Sequence, residues 1–159
     1  MWKKEHIPDD SSLFRHVHKT NMDKRNRRIP SESNFSIKKG DEGLSVDWDK
    51  YTTPGKIFAR ISNTYKFGKT EFKDHKDFYI YKLDTRFVRN IPDVRKISHD
   101  PLFNGDPASI GNPNNRAHSL VLFDLHNDPE VRTKLRDNAL KVNVKDEQVQ
   151  HHLNEWKRK

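Results

Sequence analysis

The chain has 159 residues, of which 31% are hydrophobic, and its mean hydropathy is −1.09. That length fits one domain with terminal extensions, and the low apolar content predicts a small core. No segment approaches the ~18 apolar residues of a membrane span, the first residues lack the apolar run of a signal peptide, and there is no cysteine for a disulfide or thiolate site. We therefore expect a cytoplasmic protein with no membrane partner.

The charge balance favours an anionic partner. Lysine and arginine number 31 against 23 acidic residues, which gives a net charge of +8 and a pI near 9.6. A surplus of this size favours nucleic acid, RNA or DNA, and also allows an acidic protein partner. The alternative is a soluble protein whose positive charge has no role in binding a partner. Basic residues cluster at 24–28 and again at 156–159.

In chain order, a leader at residues 1–12 precedes an α+β domain at 13–142 and a charged C-terminal helix or tail at 143–159. The domain begins with an alternating segment, Leu13–Thr20, which predicts a strand. Successive side chains on a strand point to opposite faces, so His16 and His18 share one face and Arg15 lies on the other.

A short strand at Asn34–Ile37 and a clearer one at Leu44–Trp48 follow. Alternation places Ser45 and Asp47 on one face of the second strand. Thr53-Pro54 then predicts the start of a helix, because threonine caps helix N-termini and proline suits the first helical position. The apolar residues at helical spacing after Pro54 are predicted to pack the helix on a sheet.

The segment 65–73 interleaves aromatic and basic residues. That pattern suits base stacking with phosphate contact, although packing of the aromatics into the core is the favoured alternative. A strand is predicted at 77–83 and a single helical turn at 85–90.

Further strands are predicted at 94–99 and 117–125, a Gly-, Asn- and Pro-rich loop at 103–115, and helices at 128–140 and 145–159. The succession of strands and helices lacks regular βαβ alternation. It predicts a single-domain α+β fold with a mixed or antiparallel sheet and two to three helices.

Reactive side chains occur in four short blocks, each on a predicted strand or at a strand end. The blocks are Arg15 with His16 and His18, Ser45 with Asp47, His99 with Asp100, and Asn115 with Arg116 and His118. If the strands are neighbours in the sheet, the blocks converge on one site. The candidate catalytic residues are His16, His18, His118 and Arg15. The candidate substrate-binding residues are Arg116, Asn115, Ser45, Asp47 and His99.

The first hypothesis for this site is cleavage of RNA without a metal. Such cleavage needs a base for the 2′-hydroxyl proton and an acid for the leaving oxygen, and histidine serves both roles near neutral pH. His16 or His18 would act with His118. Arg15 or Arg116 would stabilise the negative charge that develops on phosphorus.

Two other hypotheses stay open. The pair His16 and His18 has a spacing common among metal ligands, and His99, Asp100 or His118 would complete a site. Surface or hydrogen-bonded histidines are the more economical explanation, so we assign neither a metal nor a cofactor. The second possibility is a non-catalytic module whose basic face binds nucleic acid or an acidic partner.

The segments Leu13-Phe-Arg15-His16 and Leu44-Ser45-Val46 resemble the layout of ADP-ribosyltransferases. In that family a strand bearing arginine or histidine is followed by a strand carrying serine. The resemblance implies that Arg15 and Ser45 would face a nicotinamide dinucleotide.

A broader set of segments resembles a family of small bacterial hypothetical proteins. These segments are His6–Asp10, Leu13–His18, Leu44–Tyr51 with Thr53-Pro54, His99–Leu102 and Ala117-His118. The resemblance implies a natural single-domain bacterial protein and carries no catalytic assignment.

Overall fold

The computed structural model describes residues 2–103, 114–126 and 128–157. Six strands form one sheet in the order β4-β5-β2-β1-β3-β6, and every neighbouring pair is antiparallel. The strands are β1 (Ser12–His18), β2 (Leu44–Trp48), β3 (Phe78–Asp84), β4 (Val94–His99), β5 (His118–Phe123) and β6 (Leu140–Val142). The predicted α+β class is confirmed, with an antiparallel sheet.

The described chain has four α-helices: α1 (Pro54–Ser62), α2 (Thr85–Arg89), α3 (Pro129–Asn138) and α4 (Asp146–Lys157). The five-residue α2 corresponds to the single helical turn that the sequence predicts. Thr53 caps α1 by accepting a hydrogen bond from the Lys56 amide at 3.3 Å, and Asp128 caps α3 through two amides. Both caps satisfy donors that a helix start otherwise leaves unpaired.

The predicted strand at Asn34–Ile37 is wrong. A 3₁₀ turn occupies Glu32–Phe35 instead. The Asn34 side chain donates to the carbonyls of Asn21 at 2.7 Å and Ser31 at 2.8 Å. Such local side-chain bonds stabilise a turn in competition with a strand.

One side of the sheet, the apolar face, bears Leu13 of β1, Leu44 and Val46 of β2, and Val121 of β5. The N-terminal segment, α2 and α3 cover this face and complete the larger core. The four sheet side chains, Leu13, Leu44, Val46 and Val121, are each 97–100% buried. Burial of one such side chain stabilises the fold by about 1.5–3 kcal/mol.

The opposite side, the α1 face, is apolar where β1 and β3 lie. Phe14 and Ile80 pack there against Ile57 and Ile61 of α1 and Val149 of α4. On β2 and β5 the same face carries polar residues, because the register pairs Phe14 with Asp47 and Asp47 with His118. The α1 face therefore combines a small core with a polar area beside it.

The two ends of the described chain both contact the sheet domain. Ile7, in the predicted leader, is 1% exposed and belongs to the larger core. Helix α4, in the predicted tail, packs on α1 through Val149. Most of the predicted loop at 103–115 lies outside the described residues, as do Arg158 and Lys159. Among the helices that the structure describes, none is long and apolar enough to cross a membrane.

Candidate functional site

A cavity of about 200 Å³ opens on the α1 face, between β1, β2, β5 and helix α1. Segments that are distant in sequence contribute its walls. The apolar part of the lining comes from both the sheet and α1, and the remainder is polar and charged. The lining residues are Phe14, Arg15, His16, Ser45, Val46, Asp47, Ile57, Arg60, Ile61, Leu102, Asn115 and His118.

The cavity lies where β1 and β2 separate. Their described ladder consists of two pairs, Leu13 with Trp48 and Phe14 with Asp47, whereas β1 pairs with β3 along its whole length. Arg15 fills the resulting gap, and its Nη1 donates to the Ser45 carbonyl at 2.9 Å. Its Nε donates to the Asn34 carbonyl at 3.1 Å. Desolvation lowers the pKa of Arg15, but arginine remains charged at any physiological pH.

His118 has one ring nitrogen held by the main chain and the other directed at a hydroxyl. Its Nδ1 lies 2.8 Å from the Asp100 carbonyl oxygen and 3.6 Å from that residue's Oδ2. A carbonyl only accepts hydrogen bonds, so Nδ1 carries the proton. In the neutral ring, Nε2 is therefore an acceptor, and it lies 3.2 Å from Ser45 Oγ.

Asp47 and Asn115 form a polar pair on the wall. Asn115 Nδ2 donates to Asp47 Oδ1 at 2.8 Å. Desolvation raises the pKa of Asp47, against opposing effects of the Asn115 hydrogen bond and of the charges on His118, Arg60 and Arg15. The net direction shows that the cavity disfavours this negative charge.

His16 lines the cavity and its side chain is exposed. The protein around the ring removes hydration from its charged form, and this desolvation lowers the pKa of His16 to about 3, with smaller effects from the positive charges of Arg15 and Lys73. The His16 ring is therefore neutral at pH 7.

Six of the nine candidate site residues line this one cavity, and they come from three of the four predicted blocks. These residues lie on β1, β2 and β5 and in the turn before β5. The six are Arg15, His16, Ser45, Asp47, Asn115 and His118. His18, His99 and Arg116 lie elsewhere.

His99 is 1% exposed and lies on the apolar face. Its Nδ1 accepts from the Glu5 amide at 3.1 Å, so its Nε2 carries the proton and donates to the Arg116 carbonyl at 2.7 Å. The ring stacks on Tyr51 with centroids 5.7 Å apart. These contacts make His99 a structural residue that ties the N-terminal segment to the sheet.

His18 lies at the end of β1, where its Nδ1 contacts the hydroxyl of Thr20 at 2.8 Å. Arg116 extends away from the cavity, with its guanidinium carbon 4.2 Å from the ring centroid of Tyr51. It lines a neighbouring groove of about 310 Å³ that shares Arg60 and Asn115 with the cavity.

The sequence analysis did not single out Arg60. This residue lies on α1 between Ile57 and Ile61 and reaches the cavity from above the sheet. One of its guanidinium nitrogens donates to the Asn114 carbonyl. The only signal for it in the sequence is a charge on the apolar side of the helix, one residue before Ile61.

Within the described residues, two clusters could hold a metal ion, and both lie outside the cavity. They are His151, His152 and Glu155 on α4, and Asp93, Asp128 and Glu130 near the start of α3. The first adjoins a wider groove of about 560 Å³ between α1 and α4. That groove has the larger volume, but the smaller cavity collects more proton-transferring and cationic groups.

No family model matches the chain, and neither a curated protein nor a solved structure matches it. The chemistry of the cavity therefore rests on its own geometry.

Proposed function

We propose that the cavity binds a phosphate group of a nucleic acid, RNA first, and that its histidines transfer protons during cleavage of the phosphodiester. The observation that supports this proposal is the convergence of His16, His118, Arg15 and Arg60 on one cavity of about 200 Å³. These are the residue types that metal-free phosphodiester chemistry uses.

The charges of the cavity suit an anion. Arg15 and Arg60 place two guanidinium groups in its walls, against one carboxylate, that of Asp47. The net charge of +8 adds long-range attraction for a polyanion. We include a cytoplasmic location in this proposal, where RNA is abundant.

The two histidines suit different tasks. His118, with Nδ1 protonated, offers Nε2 as a base for a hydroxyl proton. His16 is neutral in the free protein because its pKa is about 3. A bound phosphate would favour its protonated form, and we assign to that form the proton that the leaving oxygen needs.

A short hairpin that follows α1 adds a surface suited to bases. Tyr65 and Phe72 pair across it, and their rings stack with centroids 4.6 Å apart. Phe67, at its tip, is 102% exposed, which contradicts the favoured expectation that the aromatics of 65–73 pack into the core. An exposed ring beside Lys66 and Lys69 is typical of surfaces that stack on single-stranded nucleic acid.

Binding is tested by fluorescence anisotropy with a labelled 20-nucleotide single-stranded RNA. If four phosphates are neutralised, affinity should fall about 50-fold between 50 and 200 mM KCl. Phe67→Ala should weaken binding about five- to 100-fold, whereas Leu125→Ala, at another exposed apolar side chain, should not. Negligible affinity at 50 mM KCl would contradict the proposal.

Cleavage is tested with the same RNA in the presence of EDTA. His118→Ala should abolish cleavage and leave binding within about threefold of the parent protein. Binding that resists cleavage in the parent protein would instead support a non-catalytic nucleic-acid module.

A second candidate is transfer from a nicotinamide dinucleotide. It is favoured by the contact between Arg15 Nη1 and the Ser45 carbonyl, which brings together the two residues of the ADP-ribosyltransferase resemblance. Release of nicotinamide from the dinucleotide, measured by chromatography, distinguishes this activity from RNA cleavage.

A further inference from the structure

We infer that Ser45 is a nucleophile and His118 its general base, so that the cavity acts on phosphodiesters through a covalent phosphoserine. This inference rests on the proposed function for the phosphate site. It goes further by extending the substrate class to phosphodiesters that have no neighbouring hydroxyl, DNA included.

The tautomer of His118 supports this assignment. The Asp100 carbonyl fixes the proton on Nδ1, so the lone pair of Nε2 faces Ser45 Oγ across 3.2 Å. The hydroxyl therefore donates its hydrogen to the imidazole. A nucleophile bonded to a base, with the base oriented by a third group, is the arrangement that activates serine.

The backbone holds the two side chains at this distance. Ser45 and His118 lie on neighbouring strands, diagonally related because Asp47 pairs with His118 and Ser45 with Leu120. Gly43 lets β2 approach β5 just before Ser45, since a Cβ there would lie 2.9 Å from the Val121 carbonyl oxygen. A nucleophile on paired strands has little freedom to leave its base.

Charges beside the pair suit the intermediate states. The Asp100 carboxylate, 3.6 Å from His118 Nδ1, stabilises the imidazolium that forms when Ser45 gives up its proton. Arg15, bonded to the carbonyl of Ser45, places a cation next to the phosphorus that would be attacked. Ser45 itself is exposed and accessible to substrate.

The reaction balances without a metal or a redox partner. His118 Nε2 takes the proton of Ser45 Oγ as the Oγ–P bond forms and the bond from phosphorus to the leaving oxygen breaks. The leaving oxygen, on the opposite side of phosphorus from Ser45 Oγ, takes a proton from the protonated His16. Water next loses a proton to His16 and attacks phosphorus, and Ser45 Oγ departs with the proton that His118 Nε2 holds, which yields an alcohol and a phosphomonoester.

A fluorophosphonate probe tests the nucleophile directly, because it phosphonylates activated serines whatever their natural substrate. We expect one adduct per chain, located at Ser45 by peptide mass spectrometry. His118→Gln should slow labelling about 100-fold or more. Ser98→Ala is the matched control. Leu120 of β5 pairs with Ser45 of β2 on one side and with Ser98 of β4 on the other, so both serines lie on the same face of the sheet. This control should label at the parent rate.

Failure of the inference and failure of the proposed function give different results. Labelling at Ser45 without RNA affinity would retain the nucleophile and reject nucleic acid as its ligand. RNA cleavage that persists in Ser45→Ala, with DNA left intact, would overturn the inference and retain the proposed function. A folded protein that is not labelled at Ser45 would also overturn the inference.

Discussion

The two faces of the sheet use histidine in different ways, as His99 and His118 show. They lie on the adjacent strands β4 and β5, with His99 paired to Ser119 and His118 therefore on the opposite face. Each ring donates to a main-chain carbonyl, His99 through Nε2 and His118 through Nδ1. The two rings differ in the hydrogen-bond partner of their second nitrogen.

On the apolar face, the second nitrogen of His99 accepts from the Glu5 amide, so both ring nitrogens bond to the main chain. On the α1 face, the second nitrogen of His118 faces Ser45 Oγ within the cavity. A ring bonded at both ends to the backbone stabilises structure, whereas a ring with one nitrogen on a side-chain hydroxyl can exchange protons with a ligand. The variants below test this distinction.

The largest effect is expected for the two histidines themselves. His99→Ala removes two hydrogen bonds and a buried ring, and we expect a loss of about 3 kcal/mol in the free energy of unfolding. His118→Ala should cost about 1 kcal/mol, because its two hydrogen bonds, to the Asp100 carbonyl and to the exposed Ser45 hydroxyl, are made by a half-buried ring. Urea unfolding measures both. Equal losses would contradict the division between the two faces.

The next largest effect is expected at Gly43, where β2 approaches β5 closely. Gly43→Ala places a Cβ 2.9 Å from the Val121 carbonyl oxygen, and the shift that relieves this contact should cost about 1–3 kcal/mol. It should also slow fluorophosphonate labelling of Ser45. Gly40→Ala is the control, since its φ of +92° costs about 1–2 kcal/mol but its Cβ has no neighbour within 4 Å. If the probe labels Ser45 at the same rate in both variants, the close approach of β2 to β5 does not position Ser45.

A smaller effect concerns the carboxylate in the cavity. Asp47→Asn removes a negative charge near the proposed phosphate, and we expect RNA affinity to rise about three- to tenfold at pH 7. Because the pKa of Asp47 is raised, neutralisation of its carboxyl should add to the affinity that the parent protein gains as the pH falls, and the variant should gain less. Weaker binding by Asp47→Asn would argue against an anion at this position.

Much of the fold was predictable because it depends on local patterns. Alternation located β2 at Leu44–Trp48, and the Thr53-Pro54 pair located the start of α1. The three-residue β6 was not predicted, because Leu140–Val142 is too short to show a period. The turn at Glu32–Phe35 was missed since its cause, the pair of hydrogen bonds from Asn34, depends on a contact with Asn21.

The site was predictable only in part. Alternation correctly placed Ser45 and Asp47 on one face, and His16 and His18 together on one face. It could not show that β2 lies between β1 and β5, which is what brings Ser45 to both His16 and His118. The different roles of His99 and His118 also depend on long-range hydrogen-bond partners, Glu5 for His99 and Ser45 for His118. No local sequence pattern reveals these partners.

The last effect is on acid sensitivity and involves His16. Its pKa is about 3 in the folded protein and about 6.5 in an unfolded chain. Between these values the unfolded state binds more protons, so this residue makes stability fall as the pH drops below 6.5. His16→Gln should therefore lose less stability between pH 7 and pH 5 than the parent protein does, measured by urea unfolding. His6→Gln, the same change at a histidine that is likewise exposed but does not line the cavity, should retain the parent's acid sensitivity. If His6→Gln and His16→Gln respond alike, the cavity does not desolvate the His16 ring or lower its pKa.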